Sequence, residues 1–429
     1  MNRRWLRFVL LIIALLMAGD FIFRGLLIAP GTIRNDFSEP YVGSWLLRHG
    51  ENFYDSTLTT ATATQLTGSR VDLVLIYQPT TLLLVMPFTF LPWAWANTIW
   101  LTLGLAAIGI TISLLIRLSG LRFADDRAWV FATFILTFAP LHQAFHIGNV
   151  ALMAVPLCFL GIYLAEERWD FAAGVILAIA TALKPQLGLW VLLFYLIQLR
   201  KRFVVGALLP AAALAGAMIH YPVPLGALIS GYRANLHYWF APGHLIGFTE
   251  GSLPFHVSTM QVVLYQIVHR VTLTSVIAQL LFMLGLTLWV FAMVRNRFQV
   301  SVPLAISSLL ALSFISLYHS VPDTTILTLA LCWAYGRNAD LEKNLTKRVV
   351  CIIFLLLMLP GHSVLIRSAG HLSPWLTESW WWKLLVARYF AWLLLALNCV
   401  LLYALMASYP KAQPSSMELE SQAMAPAVQ

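Results

Sequence analysis

Three side chains stand where chemistry at a membrane surface can use them. Asp36 lies roughly a dozen residues beyond the first apolar run, in Asn35-Asp36-Phe37-Ser38-Glu39-Pro40-Tyr41, and so short a tether keeps its carboxylate within reach of lipid head groups. A carboxylate at that depth can take the proton from an acceptor hydroxyl as the oxygen attacks carbon, provided partial desolvation brings its pKa toward working pH. The same residue, followed by Glu39, also resembles a capping box for a helix over 37–49, and one residue can do both. His319, in Leu317-Tyr318-His319-Ser320-Val321-Pro322-Asp323, falls at a turn between two apolar runs. Its imidazole can act as a base or, protonated, hold a leaving phosphate; the plainer reading is a turn histidine bonded to Asp323. Lys184-Pro185 sits at another such turn, between Phe171–Leu183 and Leu187–Ile197. Lysines accumulate in cytoplasmic loops, so one in an outer turn is a candidate for neutralising a phosphate, with snorkelling to the interface as its alternative.

Other polar residues invite duller readings. Asp20 has Arg24 four residues on and is expected to pair with it. His142 and His146 flank a turn ending at Gly148-Asn149, while His237, His244 and His256 lack compact ligand spacing and are expected to hydrogen-bond within a loop. Asp125-Asp126 resembles a nucleotide-sugar metal motif only superficially, and a solvated loop explains it. No P-loop, Rossmann glycine pattern or Ser-His-Asp order is present. Cys158, Cys332, Cys351 and Cys399 all lie in apolar runs without CxxC spacing, so neither a disulfide framework nor a zinc site is suggested. No metal site and no cofactor is expected.

The elements that must position these residues are helices in a bilayer. Of 429 residues, 60% are hydrophobic and 10% charged, with a mean hydropathy of +0.79, against about 25% charged residues in soluble domains. The net charge of +9 comes without a basic run or basic helix, so nucleic acid is not an expected partner. After an uncleaved signal anchor ending near Gly19, spans are expected near 93–117, 128–142, 149–165, 170–183, 186–199, 203–220, 272–294, 300–318, 320–336, 348–366 and 384–407.

Counting Lys and Arg orients them. Arg117/Arg122/Arg127, Arg200/Lys201/Arg202, Arg295/Arg297 and Arg337/Lys343/Lys347/Arg348 all fall inside if residues 25–116 cross an odd number of times. Tyr77–Leu91, interrupted by Pro79 and Pro87 and closed by Pro92, is therefore read as a juxtamembrane or re-entrant helix. Twelve spans result, with 17 Lys and Arg against 9 Asp and Glu inside and 10 against 9 outside. The expected organisation is one all-α transmembrane domain over 1–408, with outer loops 25–76 and 221–271, and a disordered cytoplasmic tail over 409–429. Trp375 and Trp380–Trp382 suit an interfacial belt before the last span.

Four stretches resemble the bacterial membrane glycosyltransferases of family 87: Asp36-Phe37 with Tyr41 and the later Phe53-Tyr54-Asp55; Tyr77-Gln78-Pro79 through Leu91-Pro92; Gly148-Asn149 followed by Ala182-Leu183-Lys184-Pro185; and Ser316 to Leu327. Together they cover roughly residues 1–335. The sequence departs from the family at Gln78 (a proline there), at Asn149 (a glutamine there), in lacking a tryptophan before His319, and over 221–271.

The resemblance implies a GT-C-like fold and inverting, metal-independent transfer of a hexose, most often mannose. The donor would be a polyprenyl phosphate and the acceptor a glycan or glycolipid, on the periplasmic face of the bacterial inner membrane. It maps the catalytic roles onto Asp36 and His319 and substrate binding onto Lys184, with Tyr41, Tyr77 and Asn149 in the matching motifs; apart from the resemblance, Arg233 or His142 is expected to help Lys184 at the phosphate. Two other classes fit an envelope membrane protein: a flippase or transporter of lipid-linked sugars, and a non-catalytic subunit of a polysaccharide assembly complex. The first needs polar groups near the bilayer midplane, which the spans scarcely supply.

Overall fold

The computed structural model describes residues 3–23, 36–68, 72–219, 221–241, 244, 247–249, 257–358, 371 and 374–408. Among them the chain is helical, and the one extended pairing is an isolated bridge between Val257 and Ser320. Four helices are long and apolar enough to cross a membrane, Trp93–Leu118, Lys201–Ile219, Val271–Arg295 and Tyr389–Ala407. A fifth crossing forms if the pair Asp126–Leu136 and Ala139–His146, bent by 49°, counts as one. The protein is a multi-pass membrane protein.

In chain order the helices are α1 (Arg3–Asp20), α2 (Ser38–Arg48), α3 (Ser56–Thr67), α4 (Pro79–Val85), α5 (Trp93–Leu118), α6 (Asp126–Leu136), α7 (Ala139–His146), α8 (Ala151–Glu166) and α9 (Asp170–Leu183). There follow α10 (Pro185–Leu196), α11 (Lys201–Ile219), α12 (Leu225–Phe240), α13 (Gln261–Val268), α14 (Val271–Arg295), α15 (Val302–Ser316), α16 (Leu329–Tyr335), α17 (Leu345–Leu357) and α18 (Tyr389–Ala407).

Length sorts these helices by position. α15 is buried at every residue from Leu304 to Ile315, whereas α11 and α14 expose rows of Leu and Met such as Leu208, Leu209, Leu280, Met283 and Leu284. Exposed apolar rows on long helices face lipid; the interior helix is sheathed by protein and need not match the bilayer thickness.

Proline explains where expected spans are broken. The run at 128–142 is not one helix, because Pro140 near the start of α7 has no N–H for the carbonyl of Leu136. The run at 320–336 begins as a 3-10 helix, Val321–Thr328, with Pro322 in its first turn, and Thr324 and Thr328 bond to the carbonyls of Val321 and Thr325. α4 and the 3-10 turn Met86–Phe90 that follows it are too short to cross, at about 1.5 Å per residue. They lie against α2 instead, through Ser44 to the Leu82 carbonyl, Tyr41 to Leu91 and Arg48 to Thr89.

Long-range contacts sort the ends of the helices. Arg7 pairs with Asp126 at 2.5 Å, and Asp20 lies beside His142 and His146, so α1 runs parallel to the α6–α7 pair. At the Arg7 end, Arg127 donates to the carbonyls of Tyr335 and Gly336, and the Arg337 amide donates to Ser119. Two of the basic loops grouped by charge, around 117–127 and around Arg337, thus meet in space.

α9 and α11 approach through reciprocal glycines. A Cβ on Gly174 would strike the Phe203 carbonyl, and one on Gly206 the Phe171 carbonyl. Backbone atoms cannot yield as a side chain can, so Gly206→Leu is expected to cost at least about 3 kcal/mol, the upper range for overpacking. Thermal unfolding in detergent should show a clear drop for it. Gly216→Leu, on the same helix with nothing within 4 Å of its Cβ position, should melt close to the wild type.

Candidate active site

Five side chains from distant parts of the sequence form one continuous polar chain. Its centre is Asn149, placed by the end of α7. Gly148 takes φ +65°, its N–H bonds to the Phe145 carbonyl, and the Asn149 N–H bonds back to Ala144; the helix so ends in a left-handed glycine cap. Asn149 Oδ1 then accepts from the Ala151 amide at 2.9 Å and from Lys184 Nζ at 2.8 Å. Two donors on one atom identify it as the oxygen. Its Nδ2 therefore points the other way and donates to Asp36 Oδ2 at 2.7 Å.

Lys184 joins α9 to α10. Pro185 opens α10, and the last carbonyls of α9 are taken by α4: Thr80 and Thr81 both donate to Ala182, and Thr81 also to Leu183. The lysine is 6% exposed and ion-pairs with Asp323 Oδ1 at 2.5 Å. Asp323 is fully buried, and its Oδ2 accepts the Ser320 amide and lies 3.6 Å from His319 Nδ1. His319, also fully buried, stacks on Phe314 and shares a hydrogen bond between Nε2 and Ser313 Oγ. The segment that leads into α13 braces this turn, since the Ser258 amide donates to the His319 carbonyl and the Met260 amide to that of Phe314.

Asp36 opens the chain. Its amide donates to the Ile147 carbonyl at 2.6 Å, and its side chain is partly exposed where its partners are buried. The expected capping box is absent: Phe37 caps α2 without a side-chain bond, because the Asp36 carboxylate is turned to Asn149. Glu39, one turn on, stays protonated well into the neutral range. Burial first, and the neighbouring Asp36 carboxylate second, push its pKa up to about 8. Glu39 thus stands as an acid beside the Asp36 carboxyl, as one of two adjacent carboxyls does when like charge disfavours its ionisation.

Since the Glu39 value is higher folded than unfolded, folding takes up a proton. That contribution is complete below about pH 4.5 and is lost as pH rises through about 8. Melting temperature is expected to fall between pH 6 and pH 8.5, and Glu39→Gln should flatten the decline.

The other sequence candidates lie around this chain or away from it. Tyr77 and Tyr318 stand within electrostatic reach of Asp36, Glu39 and Asp323. Tyr41 is buried with its hydroxyl committed to Leu91. His142 is turned toward Asp20, and Arg233 is exposed on α12. Of the loop histidines, His237 is exposed and His244 packs on Tyr238; His256, Glu250, Arg24, the distal part of the 348–366 run and the tail 409–429 lie outside the described residues. Asp323 is the member that sequence reasoning undervalued, as a turn partner for His319 when it is the counter-ion of Lys184. The four cysteines are free.

Residues 75–320 match the model of glycosyltransferase family 87. A comparison with curated proteins found no match, and neither did one with solved structures. The matched stretch holds Tyr77, Asn149, Lys184 and His319, while Asp36 lies ahead of it. Because the match spans more than half of a helical membrane chain, the chain belongs to glycosyltransferase family 87 and is a membrane glycosyltransferase.

Proposed function

We propose that this glycosyltransferase moves a hexose, with mannose as the first candidate, from a polyprenyl-phosphate carrier to a glycan or glycolipid acceptor. The single observation that carries the reading is the partly exposed Asp36 carboxylate, oriented by Asn149 at the mouth of a buried, charged network. Asp36 takes the proton of the acceptor hydroxyl as its oxygen attacks the anomeric carbon. The bond from that carbon to the phosphate oxygen breaks on the opposite face, and polyprenyl phosphate leaves with the electron pair, which inverts the centre.

Lys184 donates to Asn149 and Asp323; an ammonium has a third N–H, which suits a phosphate oxygen. His319, buried behind Asp323, serves as a positioning residue in this reading, and Asp36 holds the base role alone. Tyr77 stands within electrostatic reach of the network and Tyr41 ties α2 to Leu91; His142 and Arg233 are less suited to the phosphate than Lys184, given where their side chains lie. Nucleotide sugars are cytoplasmic, so a lipid-linked donor goes with a site on the periplasmic side of the inner membrane, in a GT-C-like domain of twelve spans over 1–408.

The test is product analysis after incubating the purified protein with labelled polyprenyl-phosphate hexoses and membrane glycolipid acceptors. A glycosidic product from the mannosyl donor is expected. Transfer from nucleotide sugars alone, or carrier translocation into vesicles without a new glycosidic bond, would overturn the reading.

A further inference from the structure

A second polar cluster lies beside the Asp36 network and is not used by it. His142 and His146 stand one turn apart on α7, Asp20 reaches them from the last turn of α1, and one ligand atom of each lies within 4.8 Å of the others. Asp20 Oδ2 is 3.4 Å from His142 Nδ1 and 3.6 Å from His146 Nε2. These separations exceed the usual N–H···O range of about 2.7–3.2 Å. They are close to the ligand-to-ligand edge of a tetrahedron built on zinc bonds of about 2.0–2.1 Å, which is about 3.3–3.4 Å.

The tautomer of His142 is set from behind. The Leu136 carbonyl, which Pro140 cannot serve, takes the Nε2 proton at 2.6 Å. With the Nε2 proton so committed, Nδ1 is the nitrogen that faces the Asp20 carboxylate and the one a metal ion would take. A backbone carbonyl behind a ligating imidazole is the common outer partner at metal sites. Phe21 stacks on the ring with centroids 4.1 Å apart and restrains its rotation. The three side chains stay 15–28% exposed, which leaves an entry path.

We infer that Asp20, His142 and His146 form a binding site for a divalent cation of the zinc class, with water in the fourth position. The ion fastens α1 to α7 directly before Ile147, whose carbonyl holds the Asp36 amide. It braces the frame of the transferase site, and the proton transfer at Asp36 does not pass through it.

The experiment uses the full chain, purified in detergent on a tag without histidine, stripped with chelator and reloaded with zinc or cobalt. One zinc ion per chain should survive gel filtration, and the cobalt form should absorb with the intensity of a tetrahedral centre. Asp20→Asn and His146→Gln should each weaken cobalt binding by about 100-fold or more, and reloading zinc should raise the melting temperature of the wild type only. Substoichiometric zinc, an octahedral cobalt spectrum, or variants that bind as well as the wild type would overturn the site. The spectrum of the unmutated protein decides the matter even if a variant fails to fold, and none of these readouts depends on glycosyl transfer.

Discussion

Asp36→Asn is expected to lower glycosyl transfer by about 10²–10⁴-fold, the contribution of a positioned general base, with melting temperature near the wild-type value. The substitution keeps shape and volume, and an amide oxygen at the old Oδ2 position can still accept from Asn149 Nδ2. What it removes is the site for the acceptor's proton. The loss should fall on kcat more than on the KM for donor, because the proton moves only in the transition state. Asn149→Ala should give an intermediate defect, since it leaves the carboxylate in place but frees it to turn. Steady-state transfer with labelled polyprenyl-phosphate mannose checks both, and near-normal turnover in Asp36→Asn would remove Asp36 as the base.

Much of this site is legible from local sequence, and what is not has a common cause. Asp36, Asn149, Lys184 and His319 sit in or beside turns between apolar runs, and the charge bias of the loops alone puts those turns on one face. Lys184-Pro185 and the prolines around 79–92 mark breaks because proline cannot continue a helix. The partnerships are another matter. Asp323 reads as a neighbour of His319, and it is; its stronger partner, Lys184, comes from a different hairpin and has no signature in spacing. Asp20 has an arginine at helical distance, which lies outside the described residues, and its carboxylate also stands beside two histidines of α7 that no spacing announces. Glu39 reads as half of a capping box, but burial next to Asp36 makes it an acid. Local pattern fixes which residues are polar at the end of a span; packing between helices fixes which of them meet.

Lys184→Met is expected to destabilise the protein by about 3–5 kcal/mol, the cost of stripping one partner from a buried ion pair. Asp323 would be left charged and fully buried, with the Ser320 amide and the longer His319 contact as its remaining described partners. The neutral double variant Lys184→Met, Asp323→Asn should recover most of that loss, because replacing both members of a buried pair is often close to neutral. Activity should part company with stability. Without the ammonium, Asn149 Oδ1 keeps only the Ala151 amide as its described donor, Asn149 holds Asp36 less firmly, and a departing phosphate loses its cation. The double variant should therefore fold and still transfer poorly, with weakened donor binding. Parallel melting curves and donor titrations separate the two roles: recovery of both stability and donor affinity in the double variant would reduce Lys184 to a counter-ion for Asp323, whereas recovery of stability alone makes it part of the phosphate site.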